Sequence, residues 1–142
     1  MKTMMMRAVM GALLLVGLTA VAGAADFVVI VNSSNSQGAL TKSEVKNLFL
    51  GKRTTLDNGA KAELAMLGAG KGHEAFCNEV IGKTPAQFGT FWKTALFTGT
   101  GTPPKLMVSD AEMVRFVKSN PNAIGYVSGA ASVGDVKVLD IK

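Results

Sequence analysis

The chain has 142 residues, of which 48% are hydrophobic, with a formal charge of +5, one cysteine and one histidine. That length suits a single domain with its own core, and it is too short for two ordinary ones. One cysteine excludes an intramolecular disulfide or a zinc site, and one histidine excludes the two-histidine metal motifs, so no cofactor and no metal are expected.

Lys2 and Arg7 flank the start, an apolar stretch runs from Ala8 to Val21, and Ala22-Gly23-Ala24 offers small residues for cleavage. This pattern predicts a secretory signal peptide over residues 1–24 and an exported domain over residues 25–142. The uninterrupted apolar part falls short of the roughly 20 residues of a spanning helix. No cysteine follows it, so a lipoprotein anchor is not indicated. Without Lys2 and Arg7, 13 basic side chains face 10 acidic ones. An excess so small and scattered points away from nucleic acid; it is compatible with an anionic ligand without arguing for one.

Phe27 to Val31 is a continuous β-branched apolar run, the kind found in strands buried on both faces in the middle of parallel sheets. The polar turn Asn32 to Gln37 ends it. Within that turn Ser33, Ser34, Asn35 and Ser36 present hydroxyls, an amide and backbone donors at the carboxyl end of a strand, where open α/β sheets bind ligands. The same residues also suit a self-bonded polar turn, and the sequence leaves both readings open. Thr41 and Glu44 have the spacing of a capping box, Val45, Leu48 and Phe49 give an apolar helix face, and Gly51 marks the stop.

Asp57-Asn58-Gly59 signals a turn, followed by a second strand within Ala62 to Leu67. Gly68-Ala69-Gly70-Lys71-Gly72 then opens a helix from Lys71 to Ile81. The glycines match neither the phosphate loop, which needs Gly at position 65 and Ser or Thr at 72, nor the dinucleotide fingerprint. They fit either a plain helix start or an anion cradle of backbone N–H groups with Lys71 beside it. His73 reads as a solvent-facing helix residue with no nucleophile or orienting carboxylate, which speaks against an enzyme. Cys77 reads as a small buried hydrophobe.

Pro85 fits the first turn of a helix whose Phe88, Phe91, Trp92 and Ala95 form a core face rather than a stacking platform. Phe97 to Pro104 has no periodicity and reads as a solvated loop, with an anion wrap or a lid as the other readings. Ser109 caps a helix carrying Met113, Phe116 and Val117, which Asn120-Pro121 ends. Two strands close the chain, Ala123 to Val127 and Val136 to Ile141. Tyr126 packs against the sheet, with its hydroxyl reaching toward the rim. Strands alternating with helices predict an α/β domain with helices on both faces of the sheet.

Asn120-Pro121-Asn122-Ala123-Ile124-Gly125-Tyr126-Val127 resembles the Asn-Pro-x-Ala-Ile-Gly-Tyr-Val segment of the phosphate-type periplasmic solute-binding proteins that serve ABC importers. Leu48-Phe49-Leu50-Gly51-Lys52 is similar to their Ile-Phe-Leu-Gly-Lys phrase, and the likeness extends from about Phe27 to about Ser132. The resemblance implies a single three-layer α/β lobe like one half of a type 2 periplasmic binding protein. It further implies a phosphate or other small oxyanion as ligand and an ABC importer permease as partner, with a homodimer as a way to supply the second lobe. Where the family places Arg, Ser, Thr and Arg as phosphate donors, this chain has Met66, Gly70, Gly72 and His73. The ligand contacts it implies are Ser33, Ser34, Asn35, Ser36, Gly70, Lys71, Gly72 and His73, with the two turns expected to meet in one site. The missing donors support a second reading, an exported interaction module that has kept the lobe and lost the ligand.

Overall fold

A computed structural model describes residues 26–142; the signal peptide expected over 1–24 lies outside the described residues. The elements in chain order are β1 (Phe27–Val31), α1 (Lys42–Phe49), β2 (Glu63–Leu67), α2 (Lys71–Phe76) with its π-helical continuation Cys77–Ile81, α3 (Pro85–Thr98), β3 (Lys105–Met107), α4 (Asp110–Ser119), β4 (Ala123–Ser128) and β5 (Lys137–Leu139). Local chemistry accounts for the helix starts. Thr41 and Glu44 form the expected capping box on α1, Thr84 and Gln87 form a second one on α3, and Ser109 Oγ accepts the Glu112 N–H on α4.

The five strands lie in the order β3-β2-β4-β1-β5. β2 is parallel to β3 and β4, whereas β1 is antiparallel to both β4 and β5. β1 is therefore the one strand of the described sheet that runs against the rest. The expectation of a parallel setting for β1 is thus corrected. Its unbroken apolar run reports cover on both faces, and Val29, Ile30 and Val31 are wholly buried, but side-chain burial carries no information about strand direction.

β4 sits at the centre, and its alternation of side chains sets the three layers. Tyr126 faces the layer built by α1, α2, the π-helical turn and α3, where its ring stacks on Phe76 at 3.7 Å between centroids. Phe76 in turn meets Phe49 of α1 edge-on at 4.9 Å, and Trp92 of α3 donates from Nε1 to the Phe49 carbonyl (3.1 Å). Gly125 faces the opposite layer, where a Cβ would run into the sulfur of Met113 on α4. Helices thus cover both faces, and the expected three-layer lobe is what forms. Phe88 and Trp92 are buried as expected of a core face, and Cys77 is buried with its thiol pushed up to about 11 by desolvation.

One expectation about the end of α3 needs correction. Phe97 and Thr98 belong to its last turn, which Gly99 closes in the left-handed conformation, and the segment after the two prolines returns to the sheet as β3. Among the described residues no helix is long and apolar enough to cross a membrane.

The packing makes a testable statement about Gly125. Gly125→Ala should lower stability by about 1–3 kcal/mol through overpacking against Met113. Gly38→Ala, whose Cβ meets nothing within 4 Å, should leave the urea midpoint almost unchanged.

Candidate functional site

The reversed direction of β1 separates the two turns that were expected to form one site. Val31, at the carboxyl end of β1, pairs with Ile124 near the start of β4, while Phe27 pairs with Ser128 at its end. β2 runs parallel to β4, so Gly70 to Gly72 follow the sheet edge where Ser128 lies. Ser33 to Ser36 and Gly70 to Gly72 are therefore at opposite ends of the sheet. The composite site is wrong.

At its own end, the Ser33 to Ser36 turn is occupied with structural bonds. Asn32, which the sequence did not single out, is buried and donates from Nδ2 to the carbonyls of Val117 and Lys118 (2.9 Å each). Its Oδ1 accepts from the Ser34 N–H (3.0 Å) and hydroxyl (2.7 Å). Asn35 accepts the Gln37 N–H (2.8 Å) and donates to the Pro121 carbonyl (3.2 Å), and Lys137 donates to the Gln37 carbonyl (2.7 Å). This network ties the end of β1 to the last turn of α4 and the start of β4. It is the self-bonded polar turn, with Ser33 and Ser36 exposed on its surface.

The other end holds a cleft of about 360 Å³ lined by Leu67, Ala69, Gly70, Lys71, Gly72, Val108, Ser109, Asp110 and Ser128. It lies beyond the carboxyl ends of β2, β3 and β4, which is where open α/β sheets place ligands. Gly70 occupies a left-handed conformation (φ +100°) that a side chain would strain, and no side chain caps the helix it starts. Gly72 is needed for a different reason. A Cβ there would come within 2.8 Å of Ser128 Cα, so the first turn of α2 lies against the end of β4. Asp110 accepts both the Ser128 N–H (3.1 Å) and the Ser128 hydroxyl (2.7 Å), fixing α4 to the same strand end. The lining of the cleft thus includes one cation, Lys71, and one carboxylate, Asp110, among backbone amides and hydroxyls.

His73 departs from its expected solvent-facing position. It is 2% exposed, beneath the cleft rather than lining it. Its Nδ1 lies 2.6 Å from the Tyr126 hydroxyl, which also accepts the Leu67 N–H at 3.1 Å. The Tyr126 hydroxyl thus bridges the Leu67 N–H and the His73 ring inside the core. Cys77 Sγ sits 3.7 Å from either ring nitrogen. Burial holds the imidazole pKa below its ordinary value, with Glu74 opposing the shift. Tyr126 is wholly buried too, so its hydroxyl serves the core and does not reach the rim. The signal was present in the sequence: His73, Phe76, Cys77 and Val80 recur at helical spacing and form one inward face. Met66, the other position where the family carries arginine, is a half-buried residue of β2 in register with Leu106 of β3. Among the described residues no group of three metal-ligating side chains comes together.

Neither a family model nor a curated relative matches the chain. Solved structures do. A protein of Clostridium perfringens described as a phosphate ABC transporter substrate-binding protein, with bound phosphate, matches 82% of this chain at a TM-score of 0.64 and 20% identity. An ABC-type phosphate transport receptor from Vibrio cholerae matches with a TM-score of 0.59 and 16% identity, and PstS from Borrelia burgdorferi with 0.62 and 14%, each again over 82% of this chain. The fold is that of a lobe of such proteins. The chain spans less than half of each of these structures, 44%, 46% and 47% of their lengths in the same order.

The buried trio yields two expectations. Tyr126→Phe should cost about 1–3 kcal/mol, because it strands the Leu67 N–H and His73 Nδ1 in the interior. The second concerns acid. The unfolded chain takes up a proton on His73 near its ordinary pKa of 6.5, while the fold keeps the ring neutral to lower pH. Below that value the unfolded state binds more protons, so stability is full above it and falls beneath it, by up to about 1.4 kcal/mol per pH unit. Urea unfolding at pH 7.5, 6.5 and 5.5 should show this decline, and His73→Gln should flatten it.

Proposed function

We propose that this chain is a non-enzymatic solute-binding lobe, exported to the periplasm by residues 1–24, which binds phosphate or a related small oxyanion for an ABC importer. The observation that carries the reading is the cleft at the start of α2. There the uncapped Gly70-Lys71-Gly72 turn, Ser109 and Ser128 surround a space at the carboxyl ends of parallel strands, in a fold shared with a protein that holds phosphate. Lys71 supplies the charge, and the backbone amides at the start of α2 and the Ser109 hydroxyl supply directed donors, the Ser128 N–H and hydroxyl both being given to Asp110. Asp110 is already occupied by Ser128, and its negative charge favours a ligand that still carries a proton over a fully ionised one.

The same geometry argues for weak binding. Charged hydrogen bonds contribute about 1.5–3 kcal/mol each, and the two positions where the family carries arginine are here a half-buried Met66 and a buried His73. An open cleft also leaves water competing for every donor. Calorimetric titration should give dissociation constants of about 0.1 mM or weaker for phosphate, corresponding to about 5 kcal/mol or less. Lys71→Ala should abolish the heat of binding, and Ser34→Ala, at the opposite end of the sheet, should leave it unchanged. Binding lost in Ser34→Ala but kept in Lys71→Ala would place the ligand elsewhere, and no heat with either phosphate or sulfate at about 10 mM would sink the reading.

A further inference from the structure

The two charged side chains that line the cleft have no charged partners. Among the described residues Arg53 pairs with Glu44 and Asp57, and Lys118 with Asp135, but Lys71 and Asp110 close no ion pair, with each other or with any other group. Both line the same space. Asp110 accepts the Ser128 N–H at Oδ1 and the Ser128 hydroxyl at Oδ2, which uses about half of the acceptor positions of a carboxylate. Each oxygen keeps room for one further donor. Part of the lining is apolar: Val108 stands there 84% exposed, its N–H held by Glu112 Oε2 (3.2 Å), and Leu67 and Ala69 lie beside the same space. At about 360 Å³ the cleft falls within the range of about 300–1,000 Å³ that holds organic ligands. It has the volume of about a dozen waters at roughly 30 Å³ each, so a bare tetrahedral oxyanion leaves much of it to solvent.

We propose that the cleft takes a small zwitterion, a phosphate ester or phosphonate that carries an ammonium group on a short hydrocarbon linker. Its acid group meets Lys71, its ammonium meets Asp110, and its linker lies against Val108. The proposal rests on the anion site argued above and names the class of ligand that this site holds. A lining with one charge of each sign attracts a purely negative ligand at Lys71 and repels it at Asp110, whereas a ligand with both charges gains at both. Asp110 also asks for a proton on the ligand. A phosphate monoester loses its second proton near pH 6, while an alkylammonium group keeps its proton to about pH 10, so at neutral pH the amine is the group that can meet the carboxylate. An ammonium brings three donors and no acceptor, which suits oxygens whose remaining capacity is to accept. The linker supplies what an inorganic ion lacks, apolar surface to cover the exposed Val108 side chain.

Calorimetric titration of the purified protein at about pH 7.5 with phosphoethanolamine, ethyl phosphate, inorganic phosphate and ethylamine, each to about 10 mM, tests it. We expect phosphoethanolamine to bind about tenfold tighter than ethyl phosphate, the worth of one charged hydrogen bond, and ethylamine to give no heat. Asp110→Asn, whose amide can still bond both the Ser128 N–H and the Ser128 oxygen, should abolish that preference by weakening phosphoethanolamine and strengthening ethyl phosphate. Damage to the fold would weaken both. Val108→Ser, a change at an exposed position, should weaken the two esters and leave inorganic phosphate as it was. Equal affinity for the two esters in the wild type overturns the proposal, and so does a preference that survives Asp110→Asn. Ethylamine binding as tightly as phosphoethanolamine would make the cleft a cation site and also overturn it. The two readings fail separately: inorganic phosphate that binds while the ammonium group adds nothing removes the zwitterion and keeps the anion site, whereas no heat from any of the three phosphates removes both.

Discussion

Everything in this lobe is placed by the two faces of β4. Gly125 leaves room for the Met113 sulfur, which lets α4 settle onto one side, while Tyr126 stacks on Phe76 and bonds His73 and Leu67 on the other. A side chain at 125 would lift α4, and the loss of the hydroxyl at 126 would leave two polar groups stranded in the core. The strand also sets direction, since β2 joins it parallel and β1 antiparallel. The position of the cleft follows, because only strands that end on the same side can frame it.

How far the sequence alone could lead is clear from particular residues. Thr41, Glu44, Ser109 and Pro121 mark helix ends correctly, because capping and proline chemistry act within a few residues of themselves. Phe27 to Val31 and Ala123 to Val127 form strands, because an unbroken apolar run needs cover on both faces. Direction is another matter. Nothing in Val28 or Ile30 tells which way β1 runs, and that single unknown was enough to join two turns that lie at opposite ends of the sheet. β3 was invisible for a related reason: three residues behind two prolines, two of them exposed, carry no periodicity to read.

The positions where the family carries arginine show how a resemblance and a structure can differ in meaning. At position 73 this chain has a histidine that is part of the core, bonded to Tyr126 and close to Cys77. Glycine at 72 allows the first turn of α2 to lie against Ser128, an approach that the threonine of the family pattern would block with its Cβ. At both positions this chain uses the residue for packing. The cleft beside them is lined by backbone groups, Lys71, Asp110 and two serines already engaged in local hydrogen bonds.

The place of β1 in the sheet also shapes how the chain reaches its fold. β1 is the first described element, yet its only neighbours are β4 and β5, which start at Ala123 and Lys137, and Asn32 waits for carbonyls at Val117 and Lys118. None of its pairings is local, so loop-closure entropy must be met before any of them forms. A ribosome that has released only the first hundred residues has produced a strand with nothing to pair with. Such a chain cannot complete its sheet until Ala123–Ser128 and Lys137–Leu139 have been made.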